Sequence, residues 1–91
     1  LLQESNFENA TLNGAILNYA ELQGANLTNA KLQNIESLDI NFEKAILSNA
    51  DFTGARLSGA NFTGATLSGA NFENTILRDA HFDNTDLSGV N

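Results

Sequence analysis

His81 is the only histidine of the chain, and Asp83 follows it two positions later. A contact between this imidazole and carboxylate is conceivable, and such a pair is a typical source of acid–base chemistry. The chain has no cysteine, however, and no serine stands out from the many similar ones as a nucleophile. A single histidine without clustered partners does not make a transition-metal site. We therefore predict a non-enzymatic protein without metal or cofactor.

The remaining chemistry lies in carboxylates, because eleven Asp and Glu face only four Lys and Arg, for a net charge of −7. Nucleic acids and anionic membranes both require a basic surface, so neither is expected as a direct partner. Excess acid favours solubility and contact with a basic protein. The same charge is also ordinary for a small soluble domain. The composition thus predicts a protein partner of unknown identity rather than a polyanion.

A five-residue repeat must position these side chains. Leu or Phe, the centre of each unit, recurs every five residues from Leu2 to Leu87 at seventeen of eighteen positions, and Ala occupies twelve of the eighteen positions that lie three past a centre, from Ser5 to Val90. A period of five fits neither a helix nor a strand, so the chain must turn in every unit. Gly or Asn mostly stands two residues past the centre, as the third position of a type II turn requires. Each unit is therefore a short extended piece followed by a corner.

The unit Ala, Asn or Asp, Leu or Phe, and two small polar residues resembles the repeat of the pentapeptide-repeat family over essentially the whole chain. The resemblance implies an all-β fold, a right-handed parallel β-helix (β-solenoid) of square cross-section with four pentads per coil. Residues 1–91 then form a single domain of between four and five coils. The chain begins at Leu1 in repeat phase, so we expect a fragment of a longer protein, with an adjacent capping segment or an end-to-end homodimer covering its open end.

A twenty-residue coil places side chains twenty apart directly over one another. Phe42, Phe62 and Phe82 then form one internal column, and Phe52 and Phe72 form the opposite one. On the outside, Lys31 becomes a neighbour of Asp51, and Glu36 a neighbour of Arg56. The ladder therefore predicts both the aromatic core and the arrangement of outer charges.

The segment 34–41 is irregular. Ser37 occupies a centre, while Ile35 and Ile40 replace the small Ala on either side of it. Two larger neighbours can compensate for one lost side chain if the repeat keeps its phase. The alternative is a bulge that turns Leu38 inward. We favour the kept phase, because Leu32 and Phe42 remain ten residues apart.

Six of the eleven acids fall on two adjoining faces of the predicted rod. The candidate interaction surface comprises Glu21, Glu43, Asp83, Glu8 and Asp86. Some members of the family imitate duplex DNA toward topoisomerases, but this chain is short and lacks both inserted loops and a C-terminal dimerising helix. A second candidate surface carries Ile16, Tyr19 and Leu38.

The resemblance and the surface together predict a non-catalytic repeat scaffold for protein–protein interaction. The alternative is an acidic DNA mimic that acts on a topoisomerase-like enzyme. No targeting or membrane-spanning stretch is recognisable in the sequence, so we expect no membrane contact. The compartment stays open, with the cytoplasm slightly favoured.

Overall fold

The computed structural model describes residues 2–90, so Leu1 and Asn91 of the predicted domain lie outside the described residues. One β-bridge residue precedes each centre, at every fifth position from Asn6 to Asp86. Thirteen parallel bridges, from Asn6–Asn26 to Thr66–Asp86, each join residues twenty apart. In this described part the pairing consists of isolated bridges between turns, without a helix or a longer strand. Four turns per twenty-residue register give four-sided coils, between four and five in number, as predicted.

Each corner is a hydrogen-bonded turn. The N–H of the residue three past the centre donates to the carbonyl of the centre, as Ala25 does to Leu22 at 3.0 Å. The residue two past the centre has positive φ in all eighteen units, which a type II turn requires. Gly and Asn adopt this conformation readily, but Glu4, Tyr19 and Lys44 also adopt it. Their strained backbone must be held by the rest of the coil.

A second device stabilises many of the corners. Where Asn or Asp precedes the centre, its side-chain oxygen accepts the backbone N–H of the residue after the centre, at 2.9–3.1 Å. The residues concerned are Asn6, Asn26, Asn41, Asp51, Asn61, Asn71 and Asp86. This is an Asx turn, which favours the bend before any contact between coils exists. It explains the Asn or Asp of the repeat unit, for which the sequence reasoning gave no physical role.

Backbone hydrogen bonds join each coil to the next. Phe42 donates its N–H to the carbonyl of Asn61 at 2.8 Å, and Asn61 donates its own to the carbonyl of Ile40 at 3.0 Å. The same pair of bonds recurs around the coil, so side chains twenty apart are held about 4.8 Å from one another. The backbone therefore fixes the spacing of every outward column.

The predicted aromatic columns are confirmed. The rings of Phe42, Phe62 and Phe82 stack at centroid distances of 5.3 and 5.1 Å, and Phe52 stacks on Phe72 at 5.0 Å. The two columns meet edge to face at 5.8–6.5 Å. Both arrangements suit the charge distribution of aromatic rings. Inner alanines fill the space between the columns and are fully buried from Ala25 to Ala70.

The segment 34–41 keeps its phase. Ser37 is 2% exposed and its hydroxyl donates to the carbonyl of Arg56 at 2.8 Å, so the buried oxygen has a partner. Ile35 and Ile40 are fully buried and supply the volume that a centre Leu would have filled. Leu38 stays outside, 43% exposed. The bulge alternative is therefore wrong for this segment.

Candidate functional site

The four sides of the coil are numbered by their internal columns. The first face is built on Leu2, Leu22, Phe42, Phe62 and Phe82; the second on Phe7, Leu27, Leu47, Leu67 and Leu87; the third on Leu12, Leu32, Phe52 and Phe72; the fourth on Leu17, Ser37, Leu57 and Leu77. Residues just before and just after a centre point outward from the same face. Each face thus presents parallel columns of side chains.

The acids of the first face are only partly brought together. Glu43 and Asp83 share one column, but Thr63 separates them, so they stand two coils or about 9.6 Å apart. Glu21 belongs to the neighbouring column and is exposed, and its Oε1 accepts a hydrogen bond from Gln3 Nε2 at 3.0 Å. Glu21 and Glu43 lie on successive coils. The first face therefore has its densest charge on its N-terminal coils, away from Asp83.

The acids of the second face lie at opposite ends of the molecule. Glu8 and Asp86 are four coils or about 19 Å apart. Asp86 Oδ1 accepts the Ser88 hydroxyl at 2.6 Å and the Ser88 N–H at 3.0 Å. These hydrogen bonds lower the pKa of Asp86 below its ordinary value. Asp86 is therefore charged near neutrality but already bound to its own turn, and it forms no cluster with Glu8.

A polar depression of about 250 Å³ lies on the first face. It is lined by Gln3, Glu4, Gln23, Gly24, Glu43 and Lys44. The Oε1 atom of Gln23, one of these lining residues, is buried without a hydrogen-bond donor, the only such side-chain atom found in the described residues. A buried acceptor without a donor is costly, so a small rotation of this amide toward the depression would let it accept a hydrogen bond from water or from a partner. Sequence reasoning missed Gln23, because nothing in the repeat distinguishes it from other polar residues after a centre.

The fourth face collects most of the exposed apolar side chains. Ile16 is 71% exposed, Tyr19 64% and Leu38 43%, and Ile76 of the same face is 44% exposed. Glu36 and Arg56 lie between the two isoleucines in one column, in which each residue is joined to the next by a backbone β-bridge. A depression of about 190 Å³ beside them is lined by Asn18, Glu36, Ser37, Leu38, Arg56 and Ser58. The three residues of the second predicted surface thus lie on two successive coils of one face, whereas the acids of the first are spread over two faces.

The candidate catalytic histidine stands on an open surface. His81 is exposed, and its backbone N–H and carbonyl are used in bonds to Ala60 and Phe62 of the coil beneath. Across residues 2–90 no three His, Asp or Glu side chains are grouped as a metal site requires. Nor does any helix in that range have the length and apolarity to cross a membrane.

Comparisons with known proteins identify the same five-residue repeat. The profile of pentapeptide repeats matches residues 1–35, 38–74 and 55–91, with eight copies. No curated protein sequence matches.

Two solved structures superpose closely. A pentapeptide repeat protein of the Arabidopsis thaliana thylakoid lumen is 31% identical over 99% of this chain and 63% of its own, with a TM-score of 0.93. Rfr23 of the cyanobacterium Cyanothece 51142 is 36% identical over 92% of this chain and 58% of its own, with a TM-score of 0.90. The chain therefore spans about six tenths of the length of these proteins.

HetL of Nostoc sp. strain PCC 7120, a pentapeptide repeat protein involved in heterocyst differentiation regulation, is a more distant likeness. It is 27% identical over 93% of this chain and 48% of its own, with a TM-score of 0.57. The repeat, the twenty-residue register and these likenesses agree on a right-handed, four-sided β-helix. The chain belongs to the pentapeptide repeat family.

Proposed function

We propose that the chain is a non-catalytic protein-interaction module that receives a basic side chain of a protein partner on its first face. The observation that carries this proposal is the depression lined by Glu4, Glu43 and Gln23, which brings together two carboxylates and an amide whose Oε1 has no hydrogen-bond donor within the described residues. A lysine or arginine side chain offers donors to the amide oxygen and positive charge to both carboxylates. The site thus matches one kind of protein side chain.

The rigid coil supports such a role by fixing the geometry in advance. Phe42 and Leu22, the centres beneath Glu43 and Gln23, are at most 2% exposed. The backbone bonds between Leu22 and Asn41 and between Gly24 and Glu43 measure 2.8 and 2.9 Å. A partner that meets a pre-formed surface loses less conformational entropy on binding. Lys44 carries the only positive charge that lines this depression, and it offsets part of the attraction of Glu4 and Glu43 for a cation.

Imitation of duplex DNA toward a topoisomerase-like enzyme requires more charge than these faces carry. Duplex DNA presents one negative charge per about 1.7 Å of axis, or roughly a dozen over a rod of about 20 Å. The first and second faces together hold six acids, and Glu8 and Asp86 stand at opposite ends. The geometry therefore supports a local contact with a protein better than a continuous imitation of a duplex.

The test is an NMR titration of the chain with a short capped peptide that contains one arginine flanked by glycines. We expect chemical-shift changes centred on the amides of Gln3, Gln23 and Glu43. Glu43→Gln should weaken binding about two- to fivefold, the effect of one exposed ion pair. Gln23→Leu should weaken it as well, because the leucine side chain accepts no hydrogen bond.

Glu73→Gln is the matched control, because Glu73 follows its centre as Glu43 does but lies on the third face. It removes the same charge and should leave the affinity unchanged. Equal losses for Glu43→Gln and Glu73→Gln, or shifts spread over all four faces, would show that the peptide follows net charge alone. The proposal would then be wrong.

A further inference from the structure

We infer that the fourth face is a self-complementary surface on which a second copy of this chain docks antiparallel. The inference is independent of the first-face site, because the two surfaces share no residue. It starts from the outward column before the centres, which reads Ile16, Glu36, Arg56 and Ile76. The column is symmetric in its apolar members and opposite in its charges about a midpoint between Glu36 and Arg56. A surface with this pattern matches its own inverted copy.

The geometry of the pairing follows from the coil. Two copies that meet face to face around a two-fold axis, which lies in the interface and perpendicular to the helix axis, have opposite coil directions. With the axis between the coils of Glu36 and Arg56, Glu36 of each copy faces Arg56 of the other, and Ile16 faces Ile76. Neighbours in the column are about 4.8 Å apart, so all four contacts form in one register. The interface then contains two ion pairs between two apolar contacts.

The columns on either side fit the same operation. After the centres, Asn18 faces Arg78 of the other copy and Leu38 faces Ser58. At the corners, Tyr19 faces Asp79, so the phenol hydroxyl can donate to a carboxylate. No like charges meet in this register. The whole face, not one column alone, is therefore compatible with its inverted copy.

Other registers are disfavoured by charge. A two-fold axis at the level of Glu36 opposes Glu36 to itself, and an axis at Arg56 opposes the two guanidinium groups. A shift by a full coil in either direction places an isoleucine against an ionised side chain. Repulsion and unpaired charge in the alternatives select one register over its neighbours. This discrimination comes from the order of four side chains, which gives the pairing its specificity.

The other faces lack this combination. The third face has an inverted charge pair, Lys31 and Asp51, in the same two coils. Asp51 is, however, occupied within its own chain, because it accepts Thr53 Oγ1 and Gln33 Nε2, both at 2.6 Å. None of the seven exposed large apolar side chains of the described residues lies on the third face, whereas four lie on the fourth. Burial of apolar area, the main source of association energy, is thus available on the fourth face.

The size of the face predicts a weak pair. The molecule measures 27 × 24 × 21 Å, so a face covers at most about 650 Å² and two faces bury at most about 1,300 Å². That area is at the lower edge of specific interfaces and suits a reversible complex. We therefore expect dissociation in the micromolar range or above, which sedimentation at 5 µM to 1 mM chain and about 0.15 M salt can detect.

Charge exchange is the test. Glu36→Arg alone opposes positive charges, and Arg56→Glu alone opposes negative ones, so each variant should sediment as a monomer where the unchanged chain dimerises. An equimolar mixture of these two variants should form a heterodimer, because each then supplies the charge that the other lacks. The double variant Glu36→Arg/Arg56→Glu should dimerise again. Both positions are exposed, so the variants should keep their fold, as circular dichroism will show.

Glu73→Arg on the third face is the control for net charge and should leave dimerisation unchanged. A monomer throughout the concentration range would overturn the inference. So would a dimer that both single variants retain, since association would then use another surface, such as the coil ends. Failure of the two single variants to associate in the mixture would also refute the proposed register.

Discussion

The middle of the β-helix and its first and last coils share one backbone but differ in packing. Bridge spacing and positive φ at the corners are the same throughout. From Leu22 to Ala70, every centre and inner residue is at most 2% exposed. Leu12, Leu17, Leu77 and Phe82 occupy equivalent positions but are only half-buried. The repeat therefore sets the geometry of a coil by itself, whereas burial depends on a neighbouring coil on each side.

The aromatic columns show the same difference between the middle coils and the last coil. Phe62 meets four rings, at 5.1 and 5.3 Å within its column and at 5.8 and 6.0 Å across the core. Phe82 meets two, Phe62 at 5.1 Å and Phe72 at 6.5 Å. The same residue type in the same pentad position thus has twice as many aromatic neighbours in the middle. Mutations at equivalent positions should expose this difference.

Truncation of the central ring should have the largest effect. Phe62→Ala removes a fully buried side chain and leaves a cavity, which costs about 3–5 kcal/mol of unfolding free energy. Phe82→Ala removes a half-buried ring, and its cost should be about half as large because water replaces part of the lost contact. Urea denaturation of the 91-residue chain measures both. Equal losses would contradict the dependence of burial on two neighbouring coils.

The corners provide a second comparison. Gly54→Ala and Gly14→Ala both place a Cβ on a backbone with positive φ, at +72° and +75°. The strain should cost about 1–2 kcal/mol in each. At Gly54 the new Cβ also overlaps Oδ1 of Asn34, whereas around Gly14 the space is open. Because the Asn34 amide is the end of a flexible side chain and can turn away, we expect Gly54→Ala to be more destabilising than Gly14→Ala by only about 0.5–1.5 kcal/mol, the cost of an unfavourable rotamer.

The double variant Asn34→Gly/Gly54→Ala isolates the overlap. Glycine tolerates the positive φ of Asn34 and removes the side chain that points at the next corner. The added alanine should then cost about as much as it does at Gly14. A double variant that keeps the full penalty of Gly54→Ala would show that backbone strain, not the side chain of the preceding coil, limits this corner.

Much of the fold is readable from the sequence, because a period of five has few physical solutions. The corners follow from Gly and Asn, whereas the aromatic columns follow from Phe at intervals of twenty only with the four-pentad coil that the family resemblance implies. The kept phase at Ser37 also followed, since two isoleucines replace the lost volume. Tyr19 and Lys44 at positive φ did not, because neighbouring coils impose a conformation that their own preferences oppose.

The candidate sites were less accessible. The sequence analysis assigned Glu8 and Asp86 to one surface because both lie on the second face. It did not consider that four coils separate the two residues along the helix axis. The unpartnered oxygen of Gln23 depends on the packing of three coils, which no local pattern records. The charge order of the fourth face was present in the sequence, but its symmetry has meaning only once the four residues form a straight column.

The smallest expected effect is on the pH dependence of stability, and it concerns two aspartates, Asp51 and Asp86, that form the same kind of Asx turn in different coils. Asp51 lies in the middle and accepts Thr53 N–H at 3.0 Å, besides bonds from the Thr53 hydroxyl and Gln33. Burial raises the pKa of Asp51, but these hydrogen bonds and the charge of Lys31 outweigh it, so the net pKa is lowered. Asp86 of the last coil has only Ser88 as a donor, and its pKa is lowered as well.

A lowered pKa means that the folded chain holds the proton less tightly than the unfolded chain. The contribution of Asp51 to stability is therefore complete above the ordinary aspartate pKa of about 3.9 and is lost as the pH falls below it.

Asp51→Asn keeps an oxygen for Thr53 but cannot titrate. Its stability should fall less steeply than that of the unchanged chain between pH 5 and pH 3, by under about 1 kcal/mol. Asp86→Asn should flatten the dependence of stability on pH less, because the Asp86 carboxylate is exposed and accepts hydrogen bonds from one residue only. Identical slopes for both variants would mean that the acid sensitivity of the turn does not depend on its place in the stack.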